Sequence, residues 1–212
     1  MRILMLLLLC CLLFSCNNKV QNELDLNENN PTSFNYQNEK QFNKDFGEKL
    51  IKEGYLKFVE SSKADSLENG ILNSFRIYDE ETFKFVHIDA EELAEFSFDF
   101  FIPQLNEILE KRGVKLNIKT AEDYETSYIV FINKEEVKLY SIEELNNLNY
   151  IDTAPRNFFK KINEILLKNK INEQFFLLYD GNDLSTLLLT KTQFEIIKER
   201  FKNNKREIPY KP

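Results

Sequence analysis

The one histidine of the chain, His87, comes closest to a catalytic pattern. It ends an apolar run and is followed by the carboxylates Asp89, Glu91 and Glu92. A carboxylate beside an imidazole can orient it as a general base, so these residues could serve a hydrolase. The same acids are also typical of a helix start, where Asp89 would cap the first turn. The helix start is the simpler interpretation of the three carboxylates.

A second polar cluster, the segment 180–183, separates two very apolar runs. Closely spaced acids can bind calcium, but the EF-hand spacing fails because Lys191 stands where the distal glutamate is needed. Gly, Asn and Asp tolerate the left-handed conformation of a tight turn, so the segment predicts a hairpin turn. We expect its exposed side chains to be a contact site for a partner; these are Asp180, Asn182 and Asp183.

Other catalytic signatures are missing from the sequence. It contains no G-x-S-x-G, Walker A, G-x-G-x-x-G or H-E-x-x-H pattern, and its five glycines form no phosphate-binding loop. Paired acids such as Glu80-Glu81 and Glu135-Glu136 fall at predicted turns, although a glycosidase-like carboxylate pair could be assembled by the fold. We therefore expect no cofactor and no metal, and keep as an alternative an envelope hydrolase that uses His87 or a carboxylate pair.

The N-terminus has the pattern of an export signal. One basic residue precedes the uninterrupted apolar run Ile3–Phe14, which is too short to cross ~30 Å of hydrocarbon as a helix. The segment 13–16, Leu-Phe-Ser-Cys, resembles the lipobox of bacterial lipoproteins, in which a diacylglycerol is attached to the Cys thiol before cleavage on its amino side. The resemblance implies a signal peptide over residues 1–15, a lipidated Cys16, and an exported protein anchored to the cell membrane or outer membrane, periplasmic or surface-exposed.

The mature chain divides into a tether and one domain. Nine asparagines and few aliphatic residues between positions 17 and 45 predict a flexible tether over residues 16–45. The length of the remainder, 46–212, suits a single domain. All three cysteines lie at or before position 16, so this domain has no disulfide and no Cys-based site.

The charge of the chain narrows the class of partner. The formal charge is −7, and removing Arg2 with the signal peptide makes it −8. With no Trp and no basic cluster longer than Lys160-Lys161, the sequence does not predict nucleic-acid binding, which needs a positive face. An acidic surface favours a basic protein as partner.

Three amphipathic helices are predicted in the domain. The first starts at Asp89 and should be kinked or split by Pro103. The second follows Thr153, and the third starts at Thr190 with Gln193 as its capping-box partner. The apolar face of the second helix consists of Phe158, Phe159, Ile162, Ile165 and Leu166.

Between the helices lie pairs of β-rich runs joined by short polar turns, which indicate hairpins. The pairs are 71–78 with 82–88, 127–132 with 135–140, and 174–179 with 184–189. Residues 114–119 could add a strand, and residues 46–60 fit either a helix or a strand.

A short similarity suggests an internal repeat. Residues 105–109, Leu-Asn-Glu-Ile-Leu, return at 162–166 as Ile-Asn-Glu-Ile-Leu. The order of elements predicts an α+β fold, an antiparallel sheet built from hairpins with helices packed on one face, and allows αββ repeats. Two amphipathic helices of similar composition explain the similarity equally well.

Export, acidity, an aromatic-rich domain and the missing catalytic motifs together favour a non-enzymatic protein-binding lipoprotein. An immunity-type inhibitor that neutralises a toxin in the periplasm is one form of this hypothesis. A structural envelope lipoprotein is the third interpretation, beside the hydrolase.

Overall fold

The computed structural model describes residues 31–120, 123–124 and 127–212, and for residues 31–37 only the backbone. The described residues form seven α-helices and six strands, so the predicted α+β class is confirmed. The helices are α1 (Pro31–Lys52), α2 (Ser61–Ser74), α3 (Ala90–Ala94), α4 (Ile102–Glu110), α5 (Ile142–Asn146), α6 (Tyr150–Lys168) and α7 (Lys191–Arg200). The strands are β1 (Phe85–His87), β2 (Ile118–Thr120), β3 (Ile129–Ile132), β4 (Glu135–Lys138), β5 (Glu173–Leu178) and β6 (Ser185–Thr190).

The strands form two antiparallel sheets. Sheet A has the order β1-β6-β5 and sheet B the order β2-β3-β4. The predicted hairpins β3–β4 and β5–β6 are confirmed, and the extra strand near residues 114–119 is β2. The predicted hairpin of 71–78 with 82–88 is wrong, because β1 pairs with β6. Residues 71–74 instead complete α2, whose apolar Leu67 and Ile71 are one helical turn apart and buried.

Sheet A is covered by helices on both faces, which differs from the predicted single face. Along β5, Phe175 and Leu177 point into a first core that contains α3, α4 and α6. The alternate residues Phe176 and Leu178 point into a second core with α1, α2 and α7. Burial on both faces explains why Phe175–Leu178 of β5 and Leu187–Leu189 of β6 are apolar without polar alternation.

The first described helix begins before the predicted domain boundary. The tether was predicted to extend to residue 45, but α1 starts at Pro31. Phe42, Phe46 and Leu50 recur every four residues, and Phe46 and Leu50 are buried in the second core. This apolar stripe stabilises the helix despite the Asn-rich composition around it. Residues 1–30, with the predicted signal peptide and Cys16, lie outside the described residues.

The predicted helix boundaries are partly confirmed. The helix expected from Asp89 is split into α3 and α4, with Pro103 in the first turn of α4, where its missing N–H is harmless. Thr190 and Gln193 form the predicted capping box of α7. The second helix starts at Tyr150 and therefore earlier than predicted, so that Thr153 lies inside α6 and its hydroxyl donates to Glu144.

The similar segments share one contact but not a repeated unit. Asn106 accepts a hydrogen bond from the Leu116 N–H at 2.7 Å and donates to its carbonyl at 3.1 Å. The equivalent Asn163 makes the same two bonds with Phe175, at 2.7 and 3.0 Å. However, α4 is followed by the three strands of sheet B and α6 by two strands of sheet A, and the αββ repeat is not confirmed.

The outer edge of β5 is closed by side chains and by the segment after α7. Asn163 binds the backbone of Phe175, as described above. Leu177 and Tyr210 exchange two backbone hydrogen bonds of 2.8 Å, and the Tyr210 hydroxyl donates to the Tyr179 carbonyl at 2.8 Å. The outward backbone groups at Phe175, Leu177 and Tyr179 therefore have partners although β5 is an edge strand.

Candidate functional site

A groove of about 340 Å³ lies between α1 and α7 on the surface of the second core. Phe46 and Ile196 form its apolar floor, and Phe42 stands at its edge with 52% of its surface exposed. Large side chains of this type are usually buried, so Phe42 offers apolar area to a binding partner.

The position of Phe42 is fixed by a cation. The guanidinium of Arg200 stacks on the Phe42 ring at 4.9 Å and on the Phe75 ring at 4.6 Å, and it donates to the Asn43 side chain at 2.7 Å. These contacts join the middle of α1 to the end of α7. The groove wall is therefore held in place before any partner binds, which lowers the entropic cost of binding.

The rim of the groove carries three acids, Asp45, Glu195 and Glu199, and the cation Lys49, and two of the acids pair with a lysine, Glu195 with Lys198 at 3.6 Å and Glu199 with Lys202 at 2.7 Å. Hydrogen bonding from Lys202 lowers the pKa of the exposed Glu199 carboxyl, which stays ionised at neutral pH. With Arg200 engaged by aromatic rings, an apolar floor with an acidic rim is the complement of an amphipathic segment that carries basic residues.

His87 lies in β1 and is half-buried, with its Nδ1 3.4 Å from the Ser185 hydroxyl oxygen. Ser185 is only 3% exposed, so the hydroxyl does not present an accessible nucleophile. Asp89 caps α3 by accepting the N–H groups of Glu91 and Glu92 at 3.0 and 3.3 Å, as the capping interpretation predicts. The imidazole ring packs nearly perpendicular to the Phe100 ring, at 5.7 Å between centroids.

The acid pairs lie at turns or bind lysines. Glu81 belongs to a 3-10 turn and pairs with Lys63 at 2.6 Å. Glu135 follows the β3–β4 turn and accepts hydrogen bonds from Lys161 and Lys168, which lower the pKa of its carboxyl. The contacts of these two carboxylates are those of solvated ion pairs.

The predicted contact residues of the β5–β6 turn are exposed. Asp180, Asn182 and Asp183 surround a single 3-10 turn in which Gly181 has a φ of +54°. Asp183 pairs loosely with Arg206 at 3.6 Å. The turn contacts α3, whereas the groove lies between α1 and α7, so the structure does not bring these side chains into the groove.

A buried ionic cluster connects the two cores. Glu173 accepts two hydrogen bonds from Arg112, at 2.6 and 3.0 Å, and another from Lys84. Lys84 also lies 3.3 Å from the Gln193 side-chain oxygen at the start of α7, and its ammonium is 5.9 Å from the Tyr55 ring centroid. The side chains of Lys84, Arg112 and Glu173 are 1%, 2% and 7% exposed, so the cluster places two cations and one anion in the interior.

Burial and the neighbouring charges shift the pKa values of this cluster in different directions. It lowers the pKa of Lys84 to about 8, although the charge and hydrogen bond of Glu173 act in the opposite direction. Burial alone would raise the pKa of Glu173, but the hydrogen bonds and charges of Arg112 and Lys84 outweigh it and lower the pKa. Sequence reasoning missed the cluster, because its members are far apart in the chain and follow no local pattern.

Lipidation of Cys16 stays a prediction, since this residue lies outside the described residues. None of the helices between residues 31 and 212 has both the length and the apolar character to cross a bilayer, over the positions that the structure describes. In the same residues, no three His, Cys, Asp or Glu side chains are grouped to hold a metal ion. Comparison of the chain with models of protein families, with curated proteins and with solved structures finds no match.

Proposed function

We propose that the protein is a lipid-anchored, exported binding protein that captures a basic, amphipathic segment of another protein in the groove between α1 and α7. The apolar groove with the exposed Phe42 and an acidic rim carries this proposal. A helix laid in such a groove buries its apolar side chains on the floor and places its basic side chains against the rim.

The predicted anchor fits this role. The two or three acyl chains of a bacterial lipoprotein give stable membrane attachment, since each buried methylene contributes ~0.8 kcal/mol. An anchored inhibitor meets its target at the membrane, and the immunity-type inhibitor is the specific form of the proposal. We expect Cys16→Ala to move the protein from the membrane fraction to the soluble fraction, and persistent pelleting after a high-salt wash would contradict the anchor.

The groove is tested by affinity capture from the detergent-solubilised envelope of the producing bacterium. Wild type is compared with the double variant Phe42→Ala/Ile196→Ala, which removes the apolar edge and one of the two floor residues, and with Leu167→Ala. Leu167 is 69% exposed on α6 and serves as a matched apolar control away from the groove. The proposal expects a protein that is recovered with wild type and Leu167→Ala and lost with the groove variant.

Two charge-reversal variants, one at the rim and one elsewhere, test the acidic rim. Glu195→Lys should weaken binding of a basic segment, whereas Glu68→Lys, on the exposed surface of α2, makes the same charge change elsewhere. Equal recovery of the partner by all variants would mean that another surface binds it. Recovery of no partner by wild type would count against a binding function.

A further inference from the structure

The outward face of sheet B carries a concentration of positive charge on an acidic protein. Val130, Ile132 and Val137 point into the first core, and the alternate side chains point outward. We define the lysine face as the outward residues Lys119, Phe131, Lys134 and Lys138.

The strand register places these side chains beside one another. Phe131 on the central strand is directly opposite Lys119 of β2 and Glu136 of β4, and Ile129 is opposite Lys138. Directly opposed residues project from the same face of a sheet. Phe131 is half-buried at the centre, and the three lysines are exposed around it.

The three lysines have no carboxylate within ion-pair distance in the described part of the chain, so their charges are not neutralised by a direct partner there. Lys138 lies over the Tyr128 ring at 5.1 Å, which leaves its charge available to an anion. Glu136 is the one acid opposite Phe131, and the three lysines together with Glu136 carry a net charge of +2, whereas the chain carries −7.

A depression of about 410 Å³ lies at the turn end of this face, lined by Lys119, Phe131, Lys134 and the side chains of Asn117 and Asn133. The lysines come from two strands and the intervening turn, and adjacent strands are about 4.8 Å apart. Charges spread over two strands and a turn suit a surface with several separate anions better than a single small anion. A central aromatic ring with flanking lysines also matches the amphipathic boundary of a membrane.

We propose that the lysine face docks on the anionic phospholipid headgroups of a membrane and thereby orients the domain. This goes beyond the capture of a partner in the α1–α7 groove and does not depend on it. Each lysine near an anionic membrane surface strengthens association about fivefold, so three lysines act together where one would have little effect. Salt weakens the contact, because exposed charges are screened.

The experiment is a lysine-acetylation footprint of the full chain reconstituted in vesicles and read by mass spectrometry. Neutral phosphatidylcholine vesicles are compared with vesicles containing phosphatidylglycerol. We expect acetylation of Lys119, Lys134 and Lys138 to be at least threefold slower on the anionic vesicles, and to recover in high salt. Lys160 and Lys191 are exposed lysines outside this face and should react at the same rate on both.

A variant pair tests the same face. Lys134→Gly removes one charge and should retain the fold, because Asn133 and Lys134 both have positive φ, 52° and 71°, in the β3–β4 turn, and a turn of this type prefers Asn-Gly. It should reduce protection of Lys119 and Lys138, whereas Lys160→Gly should not.

Three outcomes would overturn the proposal. One is equal reactivity of the lysine face on the two kinds of vesicle. Another is equal slowing of Lys160 and Lys191 on the anionic vesicles, which would mean general attraction. The third is protection by inorganic phosphate on neutral vesicles, which would identify a soluble anion as the ligand.

Discussion

Replacement of the buried Glu173 by Gln should destabilise the protein far more than replacement of either cation near it. Gln is nearly the same size as Glu and keeps an acceptor oxygen, so the main change is loss of the negative charge. Arg112 would then be a buried cation without an anion, and Lys84, whose pKa is held up by Glu173, would have to lose its proton or stay charged without a partner. Breaking a buried ion pair in this way costs about 3 to 5 kcal/mol of the free energy of unfolding.

Lys84→Met is the informative contrast. It removes one of two cations and leaves Arg112 and Glu173 as a charge-balanced pair joined by two hydrogen bonds. Met has a similar length and carries no charge into the interior. We expect a change in the free energy of unfolding within about 1 kcal/mol in either direction, because replacing a buried charge by an apolar group of similar volume is often neutral.

The assay is equilibrium urea unfolding followed by far-UV circular dichroism, since the chain has no Trp. The double variant Glu173→Gln/Lys84→Met should recover on the order of 1 to 2 kcal/mol relative to Glu173→Gln, because the two sites are in contact and their effects are not additive. Equal losses from Lys84→Met and Glu173→Gln, or a loss below about 1 kcal/mol from Glu173→Gln, would refute the charge-balance reasoning.

Three further predictions concern the same fold. Burial lowers the pKa of Lys84 from its usual 10.5 to about 8, so its ammonium opposes folding below pH 8 and this penalty disappears as the pH rises toward 10.5. The free energy of unfolding of wild type relative to Lys84→Met should therefore rise by about 2 kcal/mol between pH 8 and 9.5. A difference that does not change with pH would contradict the lowered pKa. Lys170 follows α6 with a left-handed φ of 59°, and the Ile171 N–H donates to the Leu166 carbonyl, which is the geometry of a helix end that favours Gly. Lys170→Gly should therefore raise the free energy of unfolding by about 1 kcal/mol in urea unfolding, whereas Lys160→Gly inside α6 should lower it by about 1 kcal/mol. Asn163→Ala leaves the backbone groups of Phe175 without their partner and should lower the free energy of unfolding by about 2 kcal/mol, measured by urea unfolding. Asn73 is exposed, and Asn73→Ala should have almost no effect.

Local patterns in the sequence predicted the elements whose signals are short-range. The hairpins β3–β4 and β5–β6, the cap at Asp89 and the capping box at Thr190 depend on residues within a few positions of one another, and all are confirmed. The apolar face of α6 was predicted from its 3.6-residue period, and it is buried in full.

The errors have physical causes. The boundary drawn from the composition of residues 17–45 separated Phe42 from Phe46 and Leu50, so part of α1 was assigned to the tether and the groove was missed. The spacing of those three residues was the signal that could have found it. The run 71–78 was assigned to a strand because its end is β-rich, whereas Ile71 continues the buried stripe of α2.

The buried ionic cluster and the lysine face depend on pairing between distant parts of the chain. Glu173 meets Lys84 across 89 positions and Arg112 across 61. Lys119 and Lys138 are neighbours of one face only through the register of three strands. Patterns within a few residues of one another carry no information on pairings over such distances.

The closed edge of β5 has a consequence for the behaviour of the protein at high concentration. β5 is apolar from Phe175 onward and lies at the border of its sheet, which are properties of a strand that recruits a second molecule and starts aggregation. Asn163 and Tyr210 occupy the backbone groups that such a molecule would need. Pro209, next to Tyr210, has no N–H to donate, so the short added strand is itself a poor template for a further one. The Asn163 side chain, the Tyr210 backbone and one proline therefore protect an aggregation-prone edge from pairing with a second molecule when the protein is concentrated.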